Sequence, residues 1–193
     1  QNISSCSLRF LFALDLLHGL ASALAFAPVV RAGALALVVA LGATVYEPGA
    51  DTPWPHELPL GLQVVLGVAL ADLGAYSAHR MMHLTRLGWR CHVVHHSPTK
   101  LHFMASARTH PFNVVLTLGA ETLPVVALGA NPWVLALMTV VKGANGLLQH
   151  SNIDLRPGWL SGVLATNEVH WWHHSIHLEE SNRNFGNSTM IWD

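Results

Sequence analysis

Apolar and polar positions do not alternate along this chain with the period of a surface helix or a half-buried strand. They fall into long apolar runs. Residues 8–30 form the first, interrupted by Asp15 and His18, and 32–46 form a shorter Ala/Leu/Val run. A polar, Pro-rich break over 47–59 separates these from a third run, 60–78. Residues 112–130 and 132–148 make a fourth and a fifth, joined by a Gly-Ala-Asn-Pro turn. A membrane-spanning helix needs about 17–25 predominantly apolar residues. Continuous apolar character without a polar face suits such helices better than amphipathic surface ones. The pattern predicts an all-α, integral-membrane helical bundle, with a soluble bundle of buried core helices as the alternative. No internal repeat or low-complexity tract is present.

Composition sharpens this picture. Of 193 residues, 51% are apolar and 11% charged, against roughly 25% charged in soluble domains; mean hydropathy is +0.37. A disordered chain and a nucleic-acid binder are excluded, since ten basic against eleven acidic residues leave a net charge of −1. Two cysteines, Cys6 and Cys91, make no disulfide framework. Five of the ten basic residues (Arg80, Arg86, Arg90, Lys100 and Arg108) lie between the third and fourth runs. The positive-inside rule places that segment in the cytoplasm. The next two runs form a hairpin, so 151–193 should return to the same side. The chain begins at Gln1 and stops at Trp192-Asp193, and it reads as a fragment with truncated N-terminal helices.

Histidine is the anomaly. There are fourteen, and twelve lie between His79 and His177. His79-x-x-x-His83 stands at the end of the third run, where positions i and i+4 share a helix face. His92-x-x-His95-His96 and His170-x-x-His173-His174 repeat one spacing, each with two same-face imidazoles and a neighbour. Eight imidazoles exceed what one tetrahedral ion needs and suit two metal ions. With no thiolate spacing and few nearby carboxylates, the ligation points to iron, zinc or copper rather than magnesium or calcium. A single histidine on an apolar face is usually a satisfied core residue; three clusters on one predicted side are not explained that way.

These residues bring the chain to a known family. His79-Arg80-x-x-His83, Trp89-Arg90-x-His92-x-x-His95-His96-Ser97, Arg108-x-His110-Pro111, Gln149-His150-Ser151-Asn152, His170-x-x-His173-His174-Ser175, Asn184-Phe185-Gly186 and Trp192-Asp193 together resemble the fatty acid hydroxylase/sterol desaturase superfamily. The resemblance runs from about residue 60 to the end. It implies a membrane-bound, non-haem di-iron oxidoreductase that hydroxylates or desaturates a lipid with dioxygen and external electrons. It implies a division into N-terminal membrane helices, 1–56, and a catalytic domain, 57–193, whose histidine-rich helical cap carries the dinuclear site on the cytoplasmic face. The motif histidines carry over as His79, His83, His92, His95, His96, His170, His173 and His174. His150 is the candidate for a further ligand, with Asn145 and Gln149 as weaker, water-mediated ones. Zinc could replace iron in a purified sample. The implied partners are a lipid substrate, the bilayer and a redox donor (a ferredoxin, a cytochrome b-type protein or a reductase), with no nucleic acid. Two departures stand out: Asn113 occupies a position that is often acidic in the family, and the usual Phe-Gly-Thr segment after Trp-Asp does not follow.

Other residues have more modest expectations. Asp72 and Tyr76 precede His79 by seven and three residues and share its helix face, so Asp72 is expected to orient a ligand histidine through a hydrogen bond. His110 is expected to support the site or the fold, His102 and His177 to be solvated or capping, and Cys91 to pack as a small apolar residue. Glu121, in the middle of an apolar run, should face protein. Trp171 and Trp172 are placed to wall the site or sit at the membrane interface. Asn187-Ser-Thr matches a glycosylation acceptor on the wrong predicted side. Two competing functions remain open: a non-enzymatic membrane metal transporter or sensor, and an inactive fragment of the enzyme. Acyl chain, sterol, carotenoid-like lipid and alkylglycerol ether all remain possible substrates.

Overall fold

The computed structural model describes residues 51–98 and 100–193, with positions 17 and 33 in isolation. The apolar runs 8–30 and 32–46 lie outside the described residues. The rest is helical: α1 (Leu60–Leu84), α2 (Arg86–His96), a 3-10 turn (Phe103–Ala107), α3 (Pro111–Ala127), α4 (Pro132–Gln149), a second 3-10 turn (Gly158–Gly162), α5 (Asn167–His173) and α6 (Leu178–Ser181). Among the described residues the β-pairing is one isolated antiparallel bridge, Leu164 to Thr189.

Local chemistry sets the boundaries. Thr85 breaks α1 with an extended backbone, and its hydroxyl then accepts from Gly88 N to start α2. Pro111 sits at the start of α3, where a missing N–H costs nothing, and the His110 ring accepts from Phe112 N. The predicted Gly-Ala-Asn-Pro turn is present. Gly129 takes φ 83°, in the left-handed region, and Asn131 Oδ1 caps α4 at Trp133 N.

α1 is the hub, touching α2, α3 and α4. Its crossing with α3 is tight: a Cβ built on Gly74 would stand 1.9 Å from Ala120 O. A small core of Trp54, Ala71, Val125, Ala130, Val134 and Met138 joins α1, α3 and α4. Trp54 is fixed by its indole N–H, which donates to Gln63 Oε1 at 2.8 Å.

The expectation of runs without a polar face needs correction. Asp72 on α1 is 0% exposed and Lys142 on α4 is 6% exposed, whereas Val65, Val140 and Trp133 on the same helices are 65%, 67% and 69% exposed. Lys142 Nζ lies 3.5 Å from Asp72 and 3.4 Å from Glu121 of α3. Beside the apolar core these ionisable groups face inward, while several large apolar side chains face outward. By length and composition one described helix, α1, is able to cross a membrane; α3 is a shorter apolar helix.

Candidate metal centre

The helix ends bring the histidines together. α1 runs beyond the predicted 60–78 to Leu84, carrying His79 and His83 on its last turns, while His92, His95 and His96 occupy the last turns of α2. His150 closes α4, and α5 holds His170 and His173 with His174 as its C-cap. Among the described residues, nine imidazoles form two groups: His79, His83, His92, His96 and His173 in one, His95, His150, His170 and His174 in the other. Within each group the ring nitrogens lie within 4.8 Å of one another. The two repeated motifs divide reciprocally. His92 and His96 join the first group and His95 the second, whereas His170 and His174 join the second and His173 the first. The i,i+4 pair of each motif stays together and the i+3 member crosses over, because it stands about 100° around the helix from its i+4 neighbour. Stacked rings of His96 and His174, 4.3 Å apart, connect the groups.

Hydrogen bonds fix the tautomers. A carbonyl oxygen only accepts, so a ring nitrogen facing one must carry the proton. Nδ1 of His79 donates to Phe185 O at 2.9 Å, that of His95 to Arg108 O at 3.3 Å, that of His150 to Gly146 O at 2.8 Å and that of His173 to Arg183 O at 2.7 Å. Their Nε2 atoms therefore present lone pairs. Yet Nε2 of His79 and His173 are 2.9 Å apart, and Nε2 of His95 and His150 are 3.1 Å apart. Neither pair has a proton to share. A cation between them removes the repulsion: nitrogens about 2.0–2.1 Å from one ion stand roughly 3 Å from each other when adjacent. Each group contains one such pair. The remaining Nε2 contacts, His83 to His96 and His92 to His96 at 3.2 Å, His150 to His170 at 3.0 Å and His170 to His174 at 3.1 Å, have the same spacing. An all-imidazole donor set fits a first-row transition ion.

Burial keeps these rings neutral, as metal ligation requires. His92 and His150 are each pushed down to about 4, by loss of hydration first, against the opposing hydrogen bonds they donate to Asn113 and Gly146. His173 is pushed down to about 3 for the same leading reason. His95, His96, His170 and His174 are also lowered, by burial and then by neighbouring imidazoles.

The other expected residues have different partners. Asp72 touches no histidine; its carboxylate accepts from Ser188 N at 2.6 Å, Thr189 N at 3.0 Å and Thr189 Oγ1 at 2.7 Å. This corrects the expected direct bond to a ligand, which the sequence could not exclude because the partners lie 116 and 117 positions away. Tyr76 accepts from Arg80 through its hydroxyl and packs edge-on against Phe185. Asn145 donates to Ala165 O and Asn187 O, and Gln149 to Gly186 O, so both amides hold the C-terminal segment. His110 is a helix cap, and His102 and His177 each precede a short helical turn. Cys91 is a half-buried free thiol. Trp171 donates to Ser151 O, and Trp172 is exposed.

Sequence reasoning overlooked three contributors. Asn113 Oδ1 receives the His92 Nδ1 proton at 2.6 Å, so the amide at the often-acidic position still supplies an acceptor. Lys142 sets one positive charge between the carboxylates of Asp72 and Glu121; a lone ionisable residue in an apolar run was the available signal. Phe185 packs its ring 5.6 Å from His79, 5.1 Å from His83 and 5.6 Å from His173.

Comparison with known proteins agrees with this geometry. The family model described as fatty acid hydroxylase matches residues 64–193, which include all nine clustered histidines. The ornithine lipid hydroxylase OlsE of Rhizobium tropici is 37% identical over 154 residues, covering 78% of this chain and 46% of its own length. The chain thus spans about half the length of that curated relative. No solved structure matches.

Proposed function

Since the chain belongs to the fatty acid hydroxylase family, we propose that it is a membrane-bound, di-iron lipid hydroxylase acting on a polar membrane lipid. The observation that carries this reading is the pair of proton-free Nε2 contacts, one in each histidine group. Hydroxylation is preferred to desaturation, and a polar membrane lipid to a sterol, because the relative is named for hydroxylating ornithine lipid.

Iron would be held by His79, His83, His92, His96 and His173 at one position and by His95, His150, His170 and His174 at the other. When bound, it would supply dioxygen activation with two external electrons and two protons, so that a C–H bond becomes C–OH and the second oxygen leaves as water. The protein's share is positional. Backbone carbonyls hold the Nδ1 protons so that the Nε2 lone pairs converge, and buried walls such as Phe185 limit water near the five-histidine group. The outward apolar faces of α1, α3 and α4 provide the lipid-facing surface.

The cytoplasmic orientation belongs to the same proposal. The C-terminal ends of α1 and α4 carry histidines, and Asn113 near the start of α3 reaches His92. One end of the three-helix group therefore bears the site and the basic residues between α1 and α3, as the positive-inside rule expects for a cytoplasmic face. A soluble redox donor would dock at this face.

Lipid extracts from a host expressing the chain, compared with a His173→Ala control, test the reaction. A new lipid heavier by one oxygen in the wild-type extract alone is expected. A product lighter by two hydrogens would replace hydroxylation with desaturation, and no new lipid alongside full metal loading would overturn the enzymatic reading.

A further inference from the structure

We propose that Asp72 is a positioning residue for the five-histidine group, acting through residues 183–189 rather than by touching a ligand. The inference rests on the metal reading above. Asp72 is fully buried, and its carboxylate collects both the Ser188 and Thr189 N–H groups and the Thr189 hydroxyl. This anchors a segment that has left α6 and returned to α1. The same segment presents Arg183 O to His173 Nδ1 and Phe185 O to His79 Nδ1. Asn145 and Gln149 hold its intervening carbonyls, at Asn187 and Gly186. The segment thus donates hydrogen bonds to Asp72 and accepts them from two histidines.

Both histidines belong to one group, and their Nε2 atoms make its 2.9 Å contact. The four-histidine group is anchored elsewhere: His95 by Arg108 O and His150 by Gly146 O. Loosening the segment should therefore misdirect ligands at one metal position and spare the other. A role confined to holding the fold together would not discriminate between the two.

The test is anaerobic cobalt(II) titration of the full chain in detergent micelles, followed by visible absorption and equilibrium dialysis. Asp72→Asn keeps the side-chain size but turns an amide N–H donor toward backbone donors. Thr189→Val removes the hydroxyl bond alone and serves if the first variant folds poorly. Wild type should bind two cobalt ions per chain. Asp72→Asn should retain one with unchanged affinity and weaken the other by roughly 10–100-fold, the usual consequence of losing a ligand's support; Thr189→Val should weaken the same one by less. In a His79→Ala background the Asp72→Asn change should add nothing to the retained ion, whereas in a His95→Ala background it should weaken the remaining one. Two unchanged affinities in Asp72→Asn, or parallel loss of both, would overturn the proposal alone. Wild type that binds no cobalt would overturn the metal reading and the proposal with it.

Discussion

At the scale of single residues, the site depends on which nitrogen of each imidazole carries the proton. Asn113 illustrates the point, since its side-chain oxygen makes His92 present Nε2 to the group. Asn113→Leu keeps the branched outline of the side chain and removes the acceptor. It should lower metal affinity at the five-histidine position roughly 10–100-fold, whereas Asn113→Asp should preserve it. Metal content after dialysis against a graded chelator series reads both, and equal retention in the leucine variant would exclude this role. The histidines themselves were legible because i,i+4 spacing is a property of any helix. Their partition was not: whether His95 joins His92 or His150 depends on where α4 and α5 end. Asp72 was legible as an ionisable residue in an apolar run, but its partners were not, because local spacing carries no information about a contact 116 positions away.

Among the elements, the crossing of α1 and α3 does most to place the site. α1 carries two of the clustered histidines, and α3 carries the Asn113 that orients a third. Gly74 permits the crossing, since a Cβ there would meet the Ala120 carbonyl, which cannot move without moving α3. Gly74→Ala should destabilise the detergent-solubilised protein by about 1–3 kcal/mol, the usual cost of overpacking. Denaturant unfolding measures it, and a variant as stable as wild type would contradict so close an approach. The helices and the turn between α3 and α4 were readable from run lengths and the Gly-Ala-Asn-Pro signal. The inward polar face was not, because Asp72, Glu121 and Lys142 each appear alone on a different helix and become a cluster only when the helices pack.

Over the whole molecule, the helix ends concentrate imidazoles whose protonation is opposed by burial. His92 and His150, at about 4, and His173, at about 3, lie below the ordinary imidazole value of about 6.5. The unfolded chain then binds more protons than the folded chain on the acid side. Stability is fully present above about pH 6.5 and is lost as pH falls through about 4. Metal-free protein should therefore show a falling unfolding midpoint between neutral pH and pH 5, and a midpoint that rises on acidification would contradict neutral buried rings. Added metal should offset the loss until protons displace it.

The return of residues 183–189 to α1 also sets an order of events in time. Asp72 is synthesised long before Ser188 and Thr189, so α1 must take its place with that carboxylate still lacking those partners. His79 likewise awaits Phe185, and His173 awaits Arg183. Maturation of the five-histidine position is consequently a late step of biogenesis: a nascent chain halted before Arg183 already holds every clustered histidine but not the carbonyls that aim two of them.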